Sequence, residues 1–195
     1  MLTKKIAVLF SGSGSNLEAI LKKVHNQIFN SIKIEVCLCI CNKPGAYGIE
    51  RANKFGLDTT IIESAKFANR EEFDAAVVEQ ILKSGAELTV LAGFMRILTP
   101  VFTSKIKAIN LHPSILPLFK GAHAIKESFE SDMMLGGVSV HYVSEELDGG
   151  KLIAQRAFER EDGMSLEDWE SKIHAIEHEI LPDSIIKILT KEENV

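Results

Sequence analysis

The stretch that most constrains the fold comes first. Lys4 to Phe10 turns into an unbroken apolar run rich in Ile and Val, Ser11-Gly12-Ser13-Gly14-Ser15-Asn16 follows at once, and Leu17, Ile20, Leu21 and Val24 then recur at helical spacing. This reads as strand, glycine-rich loop, helix. A strand apolar on both faces must be covered on both, which is the habit of central parallel strands. A strand feeding straight into a helix opens a βαβ unit, which commits the chain to a sheet layered with helices. The free N–H groups and partial positive charge at such a helix start also form a cradle for phosphate. Ser13, Ser15 and Asn16 add side-chain donors. The loop is not a Walker A motif, since no Gly-Lys-Ser/Thr follows. It also misses the dinucleotide fingerprint, because Leu17 replaces the third glycine and Cys41-Asn42-Lys43 offers no acid for a ribose. A single phosphate monoester fits the loop better than a dinucleotide, and a ligand-free tight turn is the alternative.

The alternation continues. Ile32 to Cys41 reads as a strand, Ala46 to Phe55 as a helix ended by Gly56, and Asp58 to Ile62 as a short strand. Phe67 to Glu72 opens a further helix with Asn69 as its cap; Phe73, Val77, Ile81 and Leu82 form its apolar face and Gly85 its end. Leu88 to Phe94 is a buried strand, a short helix follows Pro100, and Ala108-Ile109 ends another strand. The expected architecture is α/β: a doubly wound, mostly parallel sheet. The pattern then changes. His123 to Ser131 reads as a short helix, and Gly137 to Val143 alternates as a strand with one polar face. Leu152 to Phe158 supplies a second strand, making an antiparallel edge after the strand that ends near Asn110. Ser165 to Asp168 is a capping box opening a long C-terminal helix. Leu166, Trp169, Ile173, Ile176 and Ile180 mark its buried stripe, and Pro182 is expected to kink or break it. Glu177 and His178 lie off the stripe, where surface charge is the default reading. The 195 residues are expected to form one domain.

The chemistry is expected at Asn110-Leu111-His112-Pro113-Ser114-Ile115-Leu116-Pro117. On a strand, residues two apart point the same way, so Asn110 and His112 share a face while Leu111 points inward. Pro113 holds His112 extended, and Pro117 closes the loop. Open α/β sheets place ligands at the C-terminal ends of their strands. An amide donor beside an imidazole suits a reaction that builds negative charge on oxygen. A polar strand end with a satisfied histidine is the commoner meaning of a lone Asn-x-His. Asp148, before Gly149-Gly150, sits in a loop that an antiparallel edge places near the same face. A carboxylate there would stabilise the imidazolium of His112 and relay a proton.

Composition removes other classes. Net charge is −5 and no basic run exceeds two lysines, which argues against a nucleic-acid surface. No apolar stretch approaches a membrane span of roughly 20 residues, and the run Ile6 to Phe10 is too short for a signal peptide. A cytoplasmic protein is expected. Cys37, Cys39 and Cys41 suggest a metal site by spacing alone. Same-face neighbours on a strand lie roughly 6.6 Å apart, however. Two sulfurs on one zinc can be no more than about 4.6 Å apart. Free thiols in a reducing compartment are the better account.

Four ordered motifs, Ser11-Gly-Ser-Gly-Ser-Asn16, Leu91-Ala-Gly-Phe-Met-Arg-Ile-Leu98, Asn110-Leu-His-Pro-Ser-Ile-Leu-Pro117 and Glu146-Leu-Asp-Gly-Gly150, resemble those of the phosphoribosylglycinamide formyltransferases, folate-dependent enzymes of purine synthesis. The resemblance runs from Ile6 to about Ile188. It implies a catalytic trio of Asn110, His112 and Asp148. It implies that Gly14, Ser15 and Asn16 hold the phosphate of glycinamide ribonucleotide and that Glu177 contacts the same substrate. Arg70, Met95, Arg96, Ile97, Leu98 and Asn110 match folate contacts. The implied donor is 10-formyltetrahydrofolate as co-substrate, with no metal, and formyl transfer to the substrate amine runs through a tetrahedral intermediate. A phosphate-binding half, about 1–100, and a folate and catalytic half, about 88–190, are expected. The implied partners are the two small molecules, with no nucleic acid or membrane, on a monomer or weak homodimer. Lys120-Gly121-Ala122-His123 departs from the Pro-Gly of many members, and the segment of Ile125 and Ser128 varies among them. A formyltetrahydrofolate hydrolase would share the trio with an added N-terminal domain. A tRNA formyltransferase would add a C-terminal domain and a basic surface.

Overall fold

The computed structural model describes residues 1–191. The elements in order are β1 (Leu2–Phe10), α1 (Ser15–Lys23), β2 (Gln27–Phe29), β3 (Ile32–Cys41), α2 (Tyr47–Asn53), β4 (Thr59–Ile61), α3 (Arg70–Ser84), β5 (Leu88–Leu91), α4 (Pro100–Thr103), β6 (Ala108–His112), α5 (Ala124–Glu130), β7 (Leu135–Tyr142), β8 (Leu152–Glu159) and α6 (Leu166–Thr190). One sheet runs β2-β3-β1-β5-β6-β7-β8, and β4 pairs β3 beside β2. Strands β4, β3, β1, β5 and β6 are mutually parallel, whereas β2, β7 and β8 are antiparallel to their neighbours. The expected doubly wound sheet with an antiparallel edge and a long C-terminal helix is therefore the observed one.

Each face of the sheet has its own core. Ile6, Val8 and Phe10 of β1 pack with Leu17 and Ile20 of α1 and with Trp169, Ile173, Ile180 and Ile185 of α6. Ala7 and Leu9 point the other way, to Phe73, Val77, Val78 and Ile81 of α3 and Phe102 of α4. The period-2 direction of strand side chains makes this division. Asn69 caps α3 by accepting from Glu72 N–H, and Gly85 ends it in the left-handed conformation, φ 70°. Ser165 and Asp168 form the expected capping box.

Several expectations need correction. Leu82 is 61% exposed, and Val78 and Asp74 take its place on the buried face of α3. Leu166 is exposed as well, so the stripe of α6 begins at Trp169. Pro182 is buried inside α6, which continues to Thr190 without a break. Glu177 is buried, not a surface charge. The polar face of β7 is also buried, because Ser139 meets Leu116 of the loop after β6 and His141 faces Asp148 of the loop after β7. Strand β5 ends at Leu91 instead of Phe94, so that Ala92 to Thr99 are freed as a loop at the strand ends. The hairpin of β2 with β3 escaped the apolar pattern; its turn residues Asn30 and Ser31 take φ 49° and 64°. The three cysteines do not share a face. A bulge leaves Cys37 without a partner between Val36 and Leu38 in the β1–β3 register. Its thiol then reaches Ser84 O of α3, while Cys39 and Cys41 join the opposite core. All three are free, and burial pushes the Cys39 thiol up to about 12.

Candidate active site

The parallel strands β1, β5 and β6 end at one edge, and the site residues gather there. After β1 the chain turns through Gly14, whose φ of 72° suits glycine, directly into α1. The turn is held against α2. Gly48 N–H donates to Gly12 O at 3.1 Å, and a Cβ on Gly14 would lie 2.5 Å from the Gly48 Cα. Glu18 N–H makes the first helical bond, to Gly14 O. The N–H groups of Ser15, Asn16 and Leu17 precede it, as every helix leaves its first N–H groups unpaired. Asn16 Nδ2 donates to Glu177 Oε2 of α6 at 3.0 Å, and His174 Nδ1 donates to the same oxygen at 2.8 Å. The structure thus brings Gly14, Ser15 and Asn16 together with Glu177.

Two strands away, about 10 Å across the sheet, lie Asn110 and His112 of β6. Asp148 joins them by a route the sequence left open. Strand β7 is antiparallel to β6, so its end at Tyr142 lies beside Ile109, away from the ligand edge. The loop then folds back over the polar face. Asp148, at φ 49°, puts Oδ2 3.5 Å from His112 Nδ1 and Oδ1 3.4 Å from Asn110 Nδ2. Gly150 makes the return possible, since a Cβ there would collide with the Tyr142 carbonyl. Gly121 N–H donates to Asp148 Oδ2 at 2.9 Å. His112 Nε2 donates to Phe119 O at 2.7 Å, a bond that needs the proton on Nε2 because a carbonyl only accepts. A protonated His112 would then offer its Nδ1–H to Asp148.

His141 is the site residue that the sequence reading missed. It stands opposite Asn110 in the β6–β7 ladder. Its Nδ1 donates to Tyr142 O at 2.8 Å, and its Nε2 lies 3.3 Å from Asn110 Nδ2 and 3.7 Å from Asp148 Oδ1. The available signal was the alternation of β7, which put Ser139 and His141 on one face. Burial pushes the Asp148 carboxyl up, but the nearby His141 imidazole, the hydrogen bond from Gly121 N–H and the charge of His112 outweigh it, and its pKa lies below the ordinary carboxylate value.

Of the residues expected at the folate, Met95, Arg96, Ile97 and Leu98 lie in the loop after β5, whereas Asn110 is on β6. Ser11 ties this loop to the glycine turn after β1: its N–H donates to Gly93 O at 3.0 Å and its Oγ accepts from Met95 N–H at 2.8 Å. Met95 and Ile97 are 67% and 55% exposed, apolar surface at the strand ends. Leu98 instead turns inward against the α3 core. The Arg96 guanidinium lies over the Phe73 ring at 5.4 Å, and its Nε is buried without a partner among the described residues. Arg70 opens α3, exposed, one turn before Phe73. Buried Asp74, also missed, accepts from both Thr99 N–H at 2.6 Å and Thr99 Oγ at 2.7 Å, and so anchors the loop's far end.

An Asn-x-His strand end, a returning Asp loop and a phosphate-type turn on one parallel edge define a class. The chain belongs to the formyl transferase family, whose profile it matches over residues 4–185. It is 37% identical to the phosphoribosylglycinamide formyltransferase of Bacillus subtilis (strain 168) over 188 residues, 95% of each chain. It is 38% identical to the trifunctional purine biosynthetic protein adenosine-3 of Chironomus tentans, spanning 13% of that longer protein. Among solved structures, the phosphoribosylglycinamide formyltransferase of Campylobacter jejuni superposes with a TM-score of 0.95 at 63% identity, covering 97% of this chain and 99% of that one.

Proposed function

We propose that this chain transfers the formyl group of 10-formyltetrahydrofolate to the amine of glycinamide ribonucleotide. The observation that carries the reading is the convergence of Asn110, His112 and Asp148 at one strand edge, two strands from an open helix N-terminus. That N-terminus takes the phosphate through Gly14, Ser15 and Asn16, with Glu177 beside it, and the substrate amine then lies near β6. Met95 and Ile97 offer a flat apolar surface to the folate ring, with Arg96 and Arg70 as cations for its carboxylates. The described residues suit such a ligand, since apolar groups are exposed and the Arg96 Nε lacks a partner.

The substrate amine attacks the formyl carbon, and the carbonyl electron pair moves onto oxygen. Asn110 holds its present partners loosely, at 3.3 and 3.4 Å, so its amide is free to swing toward that oxygen. His112 becomes the second donor once its Nε2–H leaves the Phe119 carbonyl. Asp148 faces the imidazole as its counter-charge and helps carry a proton from the attacking amine to the departing folate nitrogen. The carbon–nitrogen bond to folate then breaks. Holding two substrates in line supplies much of the rate. The nucleotide half, about 1–100, and the folate and catalytic half, about 88–190, work as one unit, since Glu177 of the second reaches Asn16 of the first. Among the described residues no helix is long and apolar enough to cross a membrane. We read the protein as acting in the cytoplasm, as a monomer or weak homodimer without nucleic acid.

The test is incubation with formyl-labelled donor, with and without glycinamide ribonucleotide. Label should move to the nucleotide, and formate release without acceptor should be negligible beside it. Comparable formate release in both reactions would favour a hydrolase and overturn the assignment.

A further inference from the structure

A carboxylate buried beside a phosphate turn needs explaining, because like charges a few ångström apart oppose binding. Glu177 is only 5% exposed, and its Oε2 is shared by Asn16 and His174. On α6, His174 lies one turn before Glu177, half-exposed at the rim, with its Nε2 3.5 Å from Glu170 Oε1.

We propose that His174 is a positioning residue of the nucleotide site: its imidazolium pins one Glu177 oxygen beside Asn16, leaves the other to accept from the substrate's sugar hydroxyls, and offsets the carboxylate charge where the phosphate docks. The proposal rests on the reading of Gly14 to Asn16 and Glu177 as that site. The other charged groups around the cluster do not fill this role. The Arg51 guanidinium of α2 is paired with Glu18 of α1. His178, facing Glu177, Arg51 and Lys23, is biased to the neutral form chiefly by burial, and its Nε2 is unpartnered among the described residues. His174 is biased the other way. The hydrogen bond to Glu177 and the charges of Glu177 and Glu170 outweigh its partial burial and raise it above the ordinary 6.5.

The sign follows. Neutral His174 with its proton on Nδ1 keeps the hydrogen bond, so rising pH removes the charge and leaves the bond. Nucleotide affinity should be highest below the His174 pKa and fall as pH rises through it, by about tenfold, a usual size for coupling between two sites. By reciprocity, bound nucleotide should raise the pH at which His174 titrates.

The test uses the full chain. Calorimetry would measure the affinity for glycinamide ribonucleotide and for ribose 5-phosphate between pH 6.5 and 9 in the wild type, His174→Gln and Asn16→Ala, while NMR follows the His174 ring with and without ribose 5-phosphate. Expected are a falling profile in the wild type, a flat and weaker one in His174→Gln with the loss in KM for the nucleotide more than in kcat, and an upward move of the ring titration on ligand binding. An unchanged profile in His174→Gln, or a ring titration unmoved by ligand, overturns the proposal; the second measurement needs no variant to fold. If Asn16→Ala also leaves nucleotide affinity intact while transfer continues, the nucleotide site itself is misplaced, which is a separate failure.

Discussion

Asp148 gathers more of the site than any other side chain: Asn110, His112, His141 and Gly121 N–H all turn toward its two oxygens. Its pKa is lowered, so its ionised form favours the folded state. That stability is fully present above the ordinary carboxylate value and is lost as pH falls through the lower folded value. Asp148→Asn should therefore melt with a shallower acid dependence than wild type below about pH 4, the range where an ordinary Asp titrates. In the proposed mechanism the same change removes the counter-charge of His112, and kcat should drop roughly a hundredfold or more, as for loss of an oxyanion donor. Because the two residues serve one step in that mechanism, His112→Ala combined with Asp148→Asn should cost far less than the product of the single losses. A double-mutant cycle on turnover decides it, and multiplicative losses would separate the two residues. The ring of His112 offers a further check. Nitrogen-15 NMR of the resting protein should show a proton on His112 Nε2, as the Phe119 carbonyl demands; a ring protonated on Nδ1 alone would contradict the described geometry.

At the scale of elements, two joints hold the ligand edge. The first is the seat of the turn of Gly12 and Gly14, the proposed phosphate site, on α2. Gly14→Val meets both a left-handed φ, costing a non-glycine residue roughly 1–2 kcal/mol, and the Gly48 backbone 2.5 Å away. It should lower the melting temperature as well as the nucleotide affinity, whereas Gly12→Ala, with open space around its Cβ, should do neither. Equal melting temperatures for the two variants would show the turn to be less tightly seated. The second joint is Asp74 on Thr99. Asp74→Ala leaves a buried N–H and hydroxyl without acceptors, at about 1–3 kcal/mol for each orphaned group, and loosens the loop of Met95 and Ile97. Denaturant midpoints should fall and KM for the folate should rise more than KM for the nucleotide, with Asp74→Asn milder because its amide oxygen can still accept. The sequence showed the first joint in part, since glycine after a buried strand and before a helix signals the turn. It could not show Gly48, 34 residues on, because that contact exists only once α1 and α2 lie side by side. Asp74 was invisible for the same reason: within α3 it reads as one more polar residue on an amphipathic helix, and only the fold sets it against Thr99.

At the scale of the whole molecule, the strand–helix order dictated the sheet, because apolar runs of 4–8 residues joined by helices leave few right-handed arrangements. The same rule could not say where the β7–β8 loop would go. An antiparallel strand ends away from the ligand edge, and Asp148 returns only because Gly150 packs on Tyr142 and β7 buries its polar face. Nor does the pattern decide whether the two halves fold together. The structure points to an answer through Trp169, the one tryptophan of the chain. It is fully buried, stacked edge-on to Phe129 and Phe158, with its Nε1–H on Ser128 Oγ. It sits in the same core as Ile6, Val8 and Leu17 from the start of the chain. A core shared from β1 to α6 should unfold as one unit. Tryptophan fluorescence, which reports the α5–α6–β8 corner, and far-ultraviolet circular dichroism, which reports all helices, should then share one midpoint in urea. Ribose 5-phosphate, bound in the proposed site about two turns further along α6 at Glu177, should move both midpoints upward together, because a ligand held only by the native state stabilises whatever unfolds with its site. Two separated midpoints, with only the dichroism responding to the ligand, would mean that the C-terminal half opens by itself, and Glu177 could then no longer be counted on to complete the nucleotide site at Asn16.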